Sequence, residues 1–298
     1  MKKQKKNMVP LQDLNLTSRF LYDEVMESSE IHREALSIIF GREIPFFNQT
    51  ESEKELRISP TIRSIRMDVI SIDEEDIVYN SEMNAERKTD LAKRSRYYQA
   101  LLDTNLLEPG IPNYNLLNQS YIILITCFDL FGLGKYQYTF EPICKETPDL
   151  KLEDGATRIF LNTRGKNDDE VSKELVDFLH YLEDTTDERA AASGSERIQK
   201  IHERVRKVKL SEEIGVKYMQ AWEEKYYERQ DGREEGKYLT LIAMIQKKIQ
   251  KGKSLEHIAD ELEENISVIE PLYGLILANP DADEEDILDL FADEEDDY

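Results

Sequence analysis

The sequence has few of the residues that build disulfide frameworks or zinc sites. Its 298 residues include two cysteines, Cys127 and Cys144, and four histidines scattered along the chain. Both cysteines lie in apolar, strand-like segments, where we expect buried free thiols. The histidines lack the Cys/His spacing of a zinc site. The chain is therefore not expected to depend on disulfide bonds or structural zinc.

Long apolar runs are also missing. The longest, from Tyr121 to Phe128, is too short to span a bilayer and is followed by Asp129. The segment Met1–Lys6 is basic, but no apolar stretch follows it as it would in an export signal. We therefore expect a cytoplasmic protein that has no membrane partner.

Positive charge is scarce overall but concentrated in one place. The net charge of −23 argues against a general nucleic-acid binder, because phosphates repel acidic surfaces. Eleven acids and no bases in residues 281–298 predict a disordered acidic tail. Between Ala85 and Tyr98, five bases outnumber two acids. This basic segment is either a surface that contacts a nucleic-acid backbone or an ordinary solvated helix face.

The composition predicts one globular domain with helical additions. A hydrophobic content of 40% is sufficient for a packed core, and 34% charged residues favour exposed helices. We divide the chain into a flexible basic arm (1–15), an α/β domain (16–185), a charged helical linker (186–235), a small helical module (236–280) and the acidic tail (281–298).

Hydrophobic periodicity places elements within the α/β domain. Residues 16–41 have helical spacing with a break near Ser28 and Ser29, and Pro109 to Pro112 mark a loop. The further predicted elements are a strand ending near Ile58, a helix over 89–104, strands over 120–128, 136–144 and 157–162, and a helix over 166–182. Further along, the segment Gly232–Lys237 is expected to interrupt a helix.

Two strand-like runs carry the most informative residues. Arg66–Ile72 and Ile77–Asn84 flank an acidic turn, so they predict a hairpin that places Asp68 beside Glu82 and Asn84. Successive strand side chains alternate faces, so Glu82 and Asn84 point the same way. Two converging carboxylates can hold a hard cation such as Mg²⁺. Such an ion can assist phosphodiester cleavage.

Several ordered motifs lie in and around this hairpin. They are Arg66-Met67-Asp68-Val69, Tyr79-Asn80-Ser81-Glu82-Met83-Asn84, Lys93-Arg94-Ser95-Arg96-Tyr97-Tyr98, and the upstream pair Phe20–Met26 and Ile62–Ile65. Over about residues 16–185 the chain resembles the recombination-promoting nuclease family, a transposase-like branch of the PD-(D/E)XK nuclease superfamily. The resemblance implies a restriction-endonuclease-like core, with a mixed sheet flanked by helices. It also implies Mg²⁺-dependent DNA cleavage linked to recombination.

The resemblance also implies roles for individual residues. Asp68, Glu82 and Asn84 would form the catalytic set, with Asp68 and Glu82 as metal ligands. Glu24 would be a third ligand, unless it is an ordinary surface position on its helix. Where this branch usually has Gln and the superfamily Lys, this chain has Asn84, which is shorter than Gln and uncharged. The alternative function is therefore a weakened or non-cleaving member that serves as a DNA-binding or protein-interaction module.

Substrate contacts are expected from the basic segment. Arg94 and Tyr98 are four residues apart and share a helix face, so together they could meet a phosphate and a sugar or base. Lys93 and Arg87 would add contacts to the DNA backbone. The adjacent Tyr97 and Tyr98 could equally be core residues, which we favour for one of the two.

The C-terminal helices offer a second candidate surface. Lys253–Leu262 looks like the first helix of a helix-turn-helix unit. The following segment, Asn265–Ile276, contains neither Lys nor Arg, so it is poorly suited to reading DNA. We therefore favour a packing or dimerisation module, through which the chain could form a homo-oligomer.

Overall fold

The structure is a computed structural model that describes residues 8–56, 65–107, 110 and 112–296. The first seven residues of the predicted arm, the predicted strand end at Ile58 and most of the Ile62–Ile65 motif lie outside the described residues. The chain divides into two compact units, one extending to Tyr218 and the other beginning at Met219.

The first unit is built around one six-stranded sheet. The strands are β1 (Phe47–Leu56), β2 (Ile65–Asp73), β3 (Val78–Asn84), β4 (Ser120–Thr126), β5 (Gln137–Phe140) and β6 (Ala156–Asn162). Their order across the sheet is β1-β2-β3-β4-β6-β5. The β3, β4 and β6 strands are parallel, whereas the β1–β2, β2–β3 and β5–β6 pairs are antiparallel. The predicted mixed sheet is confirmed, and β4 is the buried central strand that its apolar residues indicate.

Helices cover both faces of this sheet. They are α1 (Arg19–Met26), α2 (Ser29–Phe40), α3 (Leu91–Leu106), α4 (Lys173–Glu183), α5 (Asp187–Ser193), α6 (Glu196–Leu210) and the beginning of α7 (Glu212–Ile249). On one face, α1, α2, α4 and α6 pack over Val69, Tyr79 and Met83. On the other face, α3 packs over Ile70 and Val78. The chain is thus α/β with a mixed sheet flanked by helices, as predicted.

The first unit extends beyond the predicted domain boundary at residue 185. Helix α6, assigned from sequence to a charged linker, buries Ile198, Ile201, Val205 and Val208 in the core of this unit. These positions repeat every three or four residues, so they form one apolar stripe on an otherwise charged helix. The high charge content of residues 186–235 concealed this stripe.

The described part of the N-terminal arm is anchored rather than loose. Leu11 and Leu16 are buried in the core, and a 3₁₀ turn spans Leu11–Asp13. The Leu16 amide donates to Thr185 Oγ1 at 2.9 Å, and the Thr185 amide donates to Asn15 Oδ1 at 3.0 Å. These reciprocal bonds fix the chain entering α1 beside the end of α4.

The second unit is entirely helical in the part that the structure describes. It contains the rest of α7, then α8 (Leu255–Leu262), α9 (Ile266–Ala278) and α10 (Glu284–Asp296). The predicted interruption at Gly232–Lys237 is wrong, because α7 continues through it. The acidic tail also differs from its prediction: α10 forms within it, and Ile287 packs fully buried against the core of the unit.

Two further expectations concern cysteines and membranes. Both thiols are free, and Cys127 is buried as predicted, but Cys144 is only partly buried because β5 already ends at Phe140. Among the described residues, none of the helices combines the length and apolar character needed to cross a bilayer.

Candidate active site

The hairpin of β2 and β3 is fixed at its turn by one side chain. The Asp73 Oδ1 atom accepts hydrogen bonds from the amides of Glu75 and Ile77, both at 2.9 Å. Its Oδ2 atom accepts from the Tyr79 hydroxyl at 3.0 Å. An Asp that binds backbone amides ahead of it is a common turn-forming device. The turn therefore sets the register that pairs Ile70 with Asn80.

At its other end, the hairpin exchanges backbone pairing for side-chain contacts. The β2–β3 ladder ends at the pair Val69 and Ser81. Beyond it, the Asp68 amide donates to Glu82 Oε1 at 3.2 Å, and the Met83 amide donates to Asp68 Oδ2 at 3.0 Å. Each carboxylate thus binds the backbone of the opposite strand. The structure brings Asp68 and Glu82 together, as predicted.

The two carboxyl groups are deeply buried. Asp68 is 1% exposed and Glu82 is 2% exposed. Burial raises the pKa of Glu82 well above its ordinary value, and the neighbouring Asp68 raises it further, whereas Arg94 and Arg19 oppose the shift. A buried pair of like charges retains a proton because desolvation and mutual repulsion both disfavour the ionised forms. A cation that binds the pair would therefore compete with this proton.

Arg19 is a site residue that sequence reasoning missed. Its Nη2 atom forms an ion pair with Asp68 Oδ1, and its Nε atom lies 3.6 Å from Asp23 Oδ2. The Arg19 pKa is raised by Asp68, then Asp23 and Glu82, against the lowering effect of burial. A weak signal existed, because Arg19 precedes the Phe20–Met26 motif and lies four residues before Asp23. Its partner Asp68, however, is remote in sequence.

The predicted third ligand, Glu24, faces elsewhere. Its Oε1 atom forms an ion pair with Lys217 of α7, and its backbone carbonyl accepts from Arg204 Nη2 at 3.2 Å. Successive helix residues are about 100° apart, so adjacent acids on α1 face different neighbours. The helix acid beside the hairpin pair is therefore Asp23, which is buried and shares a face with Arg19.

Asn84 closes the row of polar side chains on one face of β3. It lies at the end of this strand, in register with Thr126 of β4, and is buried. Asn80 and Glu82 share its face by strand alternation. Within the described part of the chain, Asn84 Nδ2 and Asn80 Oδ1 are buried and have no hydrogen-bond partner. Buried polar atoms normally have partners, so these two are available to a ligand or water.

Helix α3 adds Arg94 and Tyr98. The Arg94 guanidinium lies over the Tyr98 ring, 5.1 Å from its centroid, and Arg94 Nε donates to the Tyr98 hydroxyl. Burial raises the pKa of Tyr98, and Glu82 raises it further. Tyr98 is fully buried in the α3 core, so it is both a packing residue and a neighbour of the site. Tyr97 is only partly buried.

The two other predicted substrate contacts are exposed side chains. Lys93 is exposed in the first turn of α3, and Arg87 is exposed in the loop before it. The contacts found in the described part of the chain do not bring either side chain to Asp68 or Glu82. They remain candidates for contacts with a longer ligand.

The donor atoms suit a hard divalent cation. Asp68 and Glu82 offer carboxylate oxygens, and Asn80 Oδ1 adds an unpaired amide oxygen on the face of Glu82. Oxygen ligands of this kind are preferred by Mg²⁺ and Ca²⁺. The described residues contain no cluster of three or more His, Cys, Asp or Glu arranged to hold a metal. The fit therefore depends on two carboxylates and an amide, with the Glu82 proton as the group that a cation would displace.

The opposite face of β3 carries a separate polar network. His32 Nε2 lies 2.9 Å from Ser81 Oγ, and His32 Nδ1 lies 2.6 Å from Ser71 Oγ. The Tyr22 hydroxyl also donates to Ser81 Oγ, at 3.0 Å. Burial lowers the pKa of His32 to about 3, so the imidazole is neutral. This network ties α1 and α2 to the strands that carry Asp68 and Glu82.

No protein-family model matches this chain, and the searches of curated proteins and of solved structures likewise return no match.

Proposed function

We propose that the protein is a metal-dependent DNA endonuclease with a restriction-endonuclease-like core, and that it takes part in DNA recombination. The observation that carries this proposal is the reciprocal contact of Asp68 and Glu82 where β2 and β3 cease to pair. Burying two carboxylates side by side is costly unless a cation or proton compensates them. A site of this kind is therefore better explained by ligand binding than by stability.

Asp68 and Glu82 would hold Mg²⁺ or another divalent cation. Asn80 turns its Nδ2 towards Glu82 Oε1, at 3.4 Å, so its Oδ1 would serve as a further oxygen ligand after rotation of the amide. When bound, such an ion supplies Lewis-acid activation of water and of the phosphoryl oxygen. The backbone amides of Asp68 and Met83 hold the two carboxylates in place before any ligand arrives. Ligands oriented in advance spend little free energy on reorganisation.

Asn84 is suited to a water or a phosphate oxygen. Its unpaired Nδ2 is a hydrogen-bond donor at the end of β3, beside the strand position that bears Glu82. An amide can orient a water through a hydrogen bond, but it cannot supply positive charge. Arg94 provides a cation close enough to lower the pKa of Glu82. We assign DNA as the substrate from the family resemblance and from the basic residues on and before α3.

Plasmid nicking in Mg²⁺ tests this function. The native chain should nick the plasmid, and Asp68→Ala should not. The matched control is Asp73→Asn, which alters a second buried aspartate of β2 whose side chain bonds to the turn and to Tyr79. Folded Asp73→Asn should retain cleavage. Cleavage that survives Asp68→Ala would refute the site assignment.

One observation favours the second candidate, a non-cleaving DNA-binding or protein-interaction module. Arg19 already provides Asp68 with a positive partner, so this carboxylate is neutralised without a metal. In that case DNA would bind equally well in Mg²⁺ and in EDTA, and no nicking would be seen. Binding that requires Mg²⁺, with or without rapid cleavage, would favour the metal site.

A further inference from the structure

We propose that Arg19 is the phosphate-binding cation of this site, and that it exchanges its ion pair with Asp68 for a phosphate oxygen of the DNA. This inference rests on the proposed function, because it names the residue that would meet the scissile region of the substrate. It assigns Arg19 a role in binding rather than in folding alone.

The position of Arg19 supports this role. Arg19 is in direct contact with Asp68, and its charge also reaches Asp23 and Glu82. The Asp68 side chain is only 2% exposed, whereas that of Arg19 is 38% exposed. Arg19 thus joins the buried carboxylates to the solvent. A ligand that approaches the pair from solvent would meet the exposed part of the Arg19 side chain, and it would reach the enclosed Nε and Nη2 when the ion pair with Asp68 is exchanged.

The hydrogen-bond donors of Arg19 also support this role, because they are incompletely satisfied. Arg19 Nε and Nη2 are enclosed by protein, yet neither makes a hydrogen bond of normal geometry within the described residues. Their contacts with Asp23 and Asp68 are ion pairs only. Guanidinium groups bind phosphate through paired N–H donors, and charge-assisted bonds of this type are the strongest available to the side chain. A phosphate would use donors that the protein leaves poorly satisfied.

The charges of the site also support this role. Asp23, Asp68 and Glu82 face Arg19 and Arg94, so these five side chains carry one net negative charge once a cation has displaced the Glu82 proton. A phosphodiester brings a further negative charge and would be repelled. A bound divalent cation would change the net charge of these groups to +1, which attracts the single negative charge of a phosphodiester. Asn84 is uncharged, so among the described residues Arg19 and Arg94 supply positive charge beside the pair.

The experiment measures DNA affinity over a series of salt concentrations, in Mg²⁺, for the native chain, Arg19→Gln and Lys217→Gln. Lys217 is the matched control, because it also pairs with a buried carboxylate of α1 but lies outside the site. We expect Arg19→Gln to weaken DNA binding at least about tenfold and to reduce the salt slope by about one. Lys217→Gln should change neither quantity.

Metal binding provides a readout that does not depend on cleavage. Calorimetric titration with Mg²⁺ should show unchanged or tighter binding by Arg19→Gln, because the substitution removes a competitor for Asp68. A native salt slope and native DNA affinity in folded Arg19→Gln would overturn the inference. A native chain that binds neither Mg²⁺ nor DNA would instead refute the proposed function, and the inference with it.

A second pair of variants covers the case in which Arg19→Gln does not fold. Asp68→Asn and the double variant Arg19→Gln/Asp68→Asn both lack the ionised Asp68, so neither leaves that carboxylate without its Arg19 partner. The double variant should still have the smaller salt slope and the weaker DNA binding of the two. Equal slopes and affinities would show that Arg19 does not contact phosphate.

Discussion

The two faces of β3 make opposite use of buried polar groups. On the α1–α2 face, Ser81 is bound by Tyr22 and His32, and His32 is also bound to Ser71. On the other face, Glu82 lies between two asparagines that each have a buried atom without a partner in the described residues. One face is neutral and saturated, and the other is acidic and incompletely bonded.

This difference indicates that one face of β3 contributes to stability and the other to function. A saturated buried network fixes the relative positions of the elements that it joins, whereas unpaired buried polar atoms are a standing cost. Such unpaired atoms are expected to persist where a bound ligand supplies the missing hydrogen bonds. We therefore assign the His32 network to positioning β2 and β3, and the Glu82 face to binding.

Glu82→Gln should have the largest effect on cleavage, and it should separate the binding role of Glu82 from any contribution to stability. Gln retains the shape but loses the charge, so cleavage should fall by about 100- to 1000-fold, as for the loss of one major electrostatic group. The free energy of unfolding at neutral pH should not fall, because the raised pKa of Glu82 shows that its charge is disfavoured. Nicking assays and urea unfolding measure the two quantities. If the cleavage rate and the free energy of unfolding both fell, Glu82 would also have a structural role, and the two faces of β3 would not differ in function.

His32→Leu should have the reverse effect. It removes the imidazole partner of the Ser71 and Ser81 hydroxyls, which keep Thr50 and Tyr22 as partners. The free energy of unfolding should therefore fall by about 1 to 3 kcal/mol, at about 0.5 to 1.5 for each lost hydrogen bond. Urea unfolding at pH 7 measures this loss. His257→Leu, at an exposed position, is the control and should change stability by less than about 0.5 kcal/mol. A negligible effect of His32→Leu would remove the positioning role.

The two faces should also respond to pH with opposite signs. The folded pKa of His32, about 3, lies below its ordinary value of 6.5, so the unfolded chain binds more protons between these values. The His32 contribution to stability is thus complete above about pH 6.5 and is lost as the pH falls towards 3, by at most about 1.4 kcal/mol per pH unit.

Glu82 acts in the opposite direction. Its folded pKa lies above its ordinary value of 4.5, so its contribution is present at low pH and is lost as the pH rises from 4.5 through the folded pKa. Stability curves in EDTA, recorded for the native chain, His32→Leu and Glu82→Gln, should isolate the two contributions. A Glu82→Gln curve parallel to the native one above pH 4.5 would contradict the raised pKa.

Asn84→Gln should produce the smallest change, and a favourable one. The longer amide should reach a water or phosphate more readily, raising the nicking rate by up to about tenfold, which corresponds to about 1.4 kcal/mol of barrier. Single-turnover nicking measures this gain. A tenfold lower nicking rate would show that the site requires the shorter side chain of Asn84.

The sequence was sufficient to predict the hairpin, because alternation and the acidic turn define its register locally. It predicted the meeting of Asp68 and Glu82 for the same reason. It did not reveal Arg19, since that contact depends on how α1 packs against the sheet. It did not show that Glu24 contacts Lys217 and that Asp23 contacts Arg19, because the motif alone does not define the helix phase. Helix α6 was missed because charged neighbours diluted its apolar stripe.

Calorimetric titration with Mg²⁺ tests the central claim most directly, that Asp68 and Glu82 together hold a divalent cation. The native chain and Asp73→Asn should bind one ion each, and Asp68→Asn and Glu82→Gln should lose this binding while remaining folded. Absence of binding by the native chain, or equal binding by all four proteins, would contradict the account.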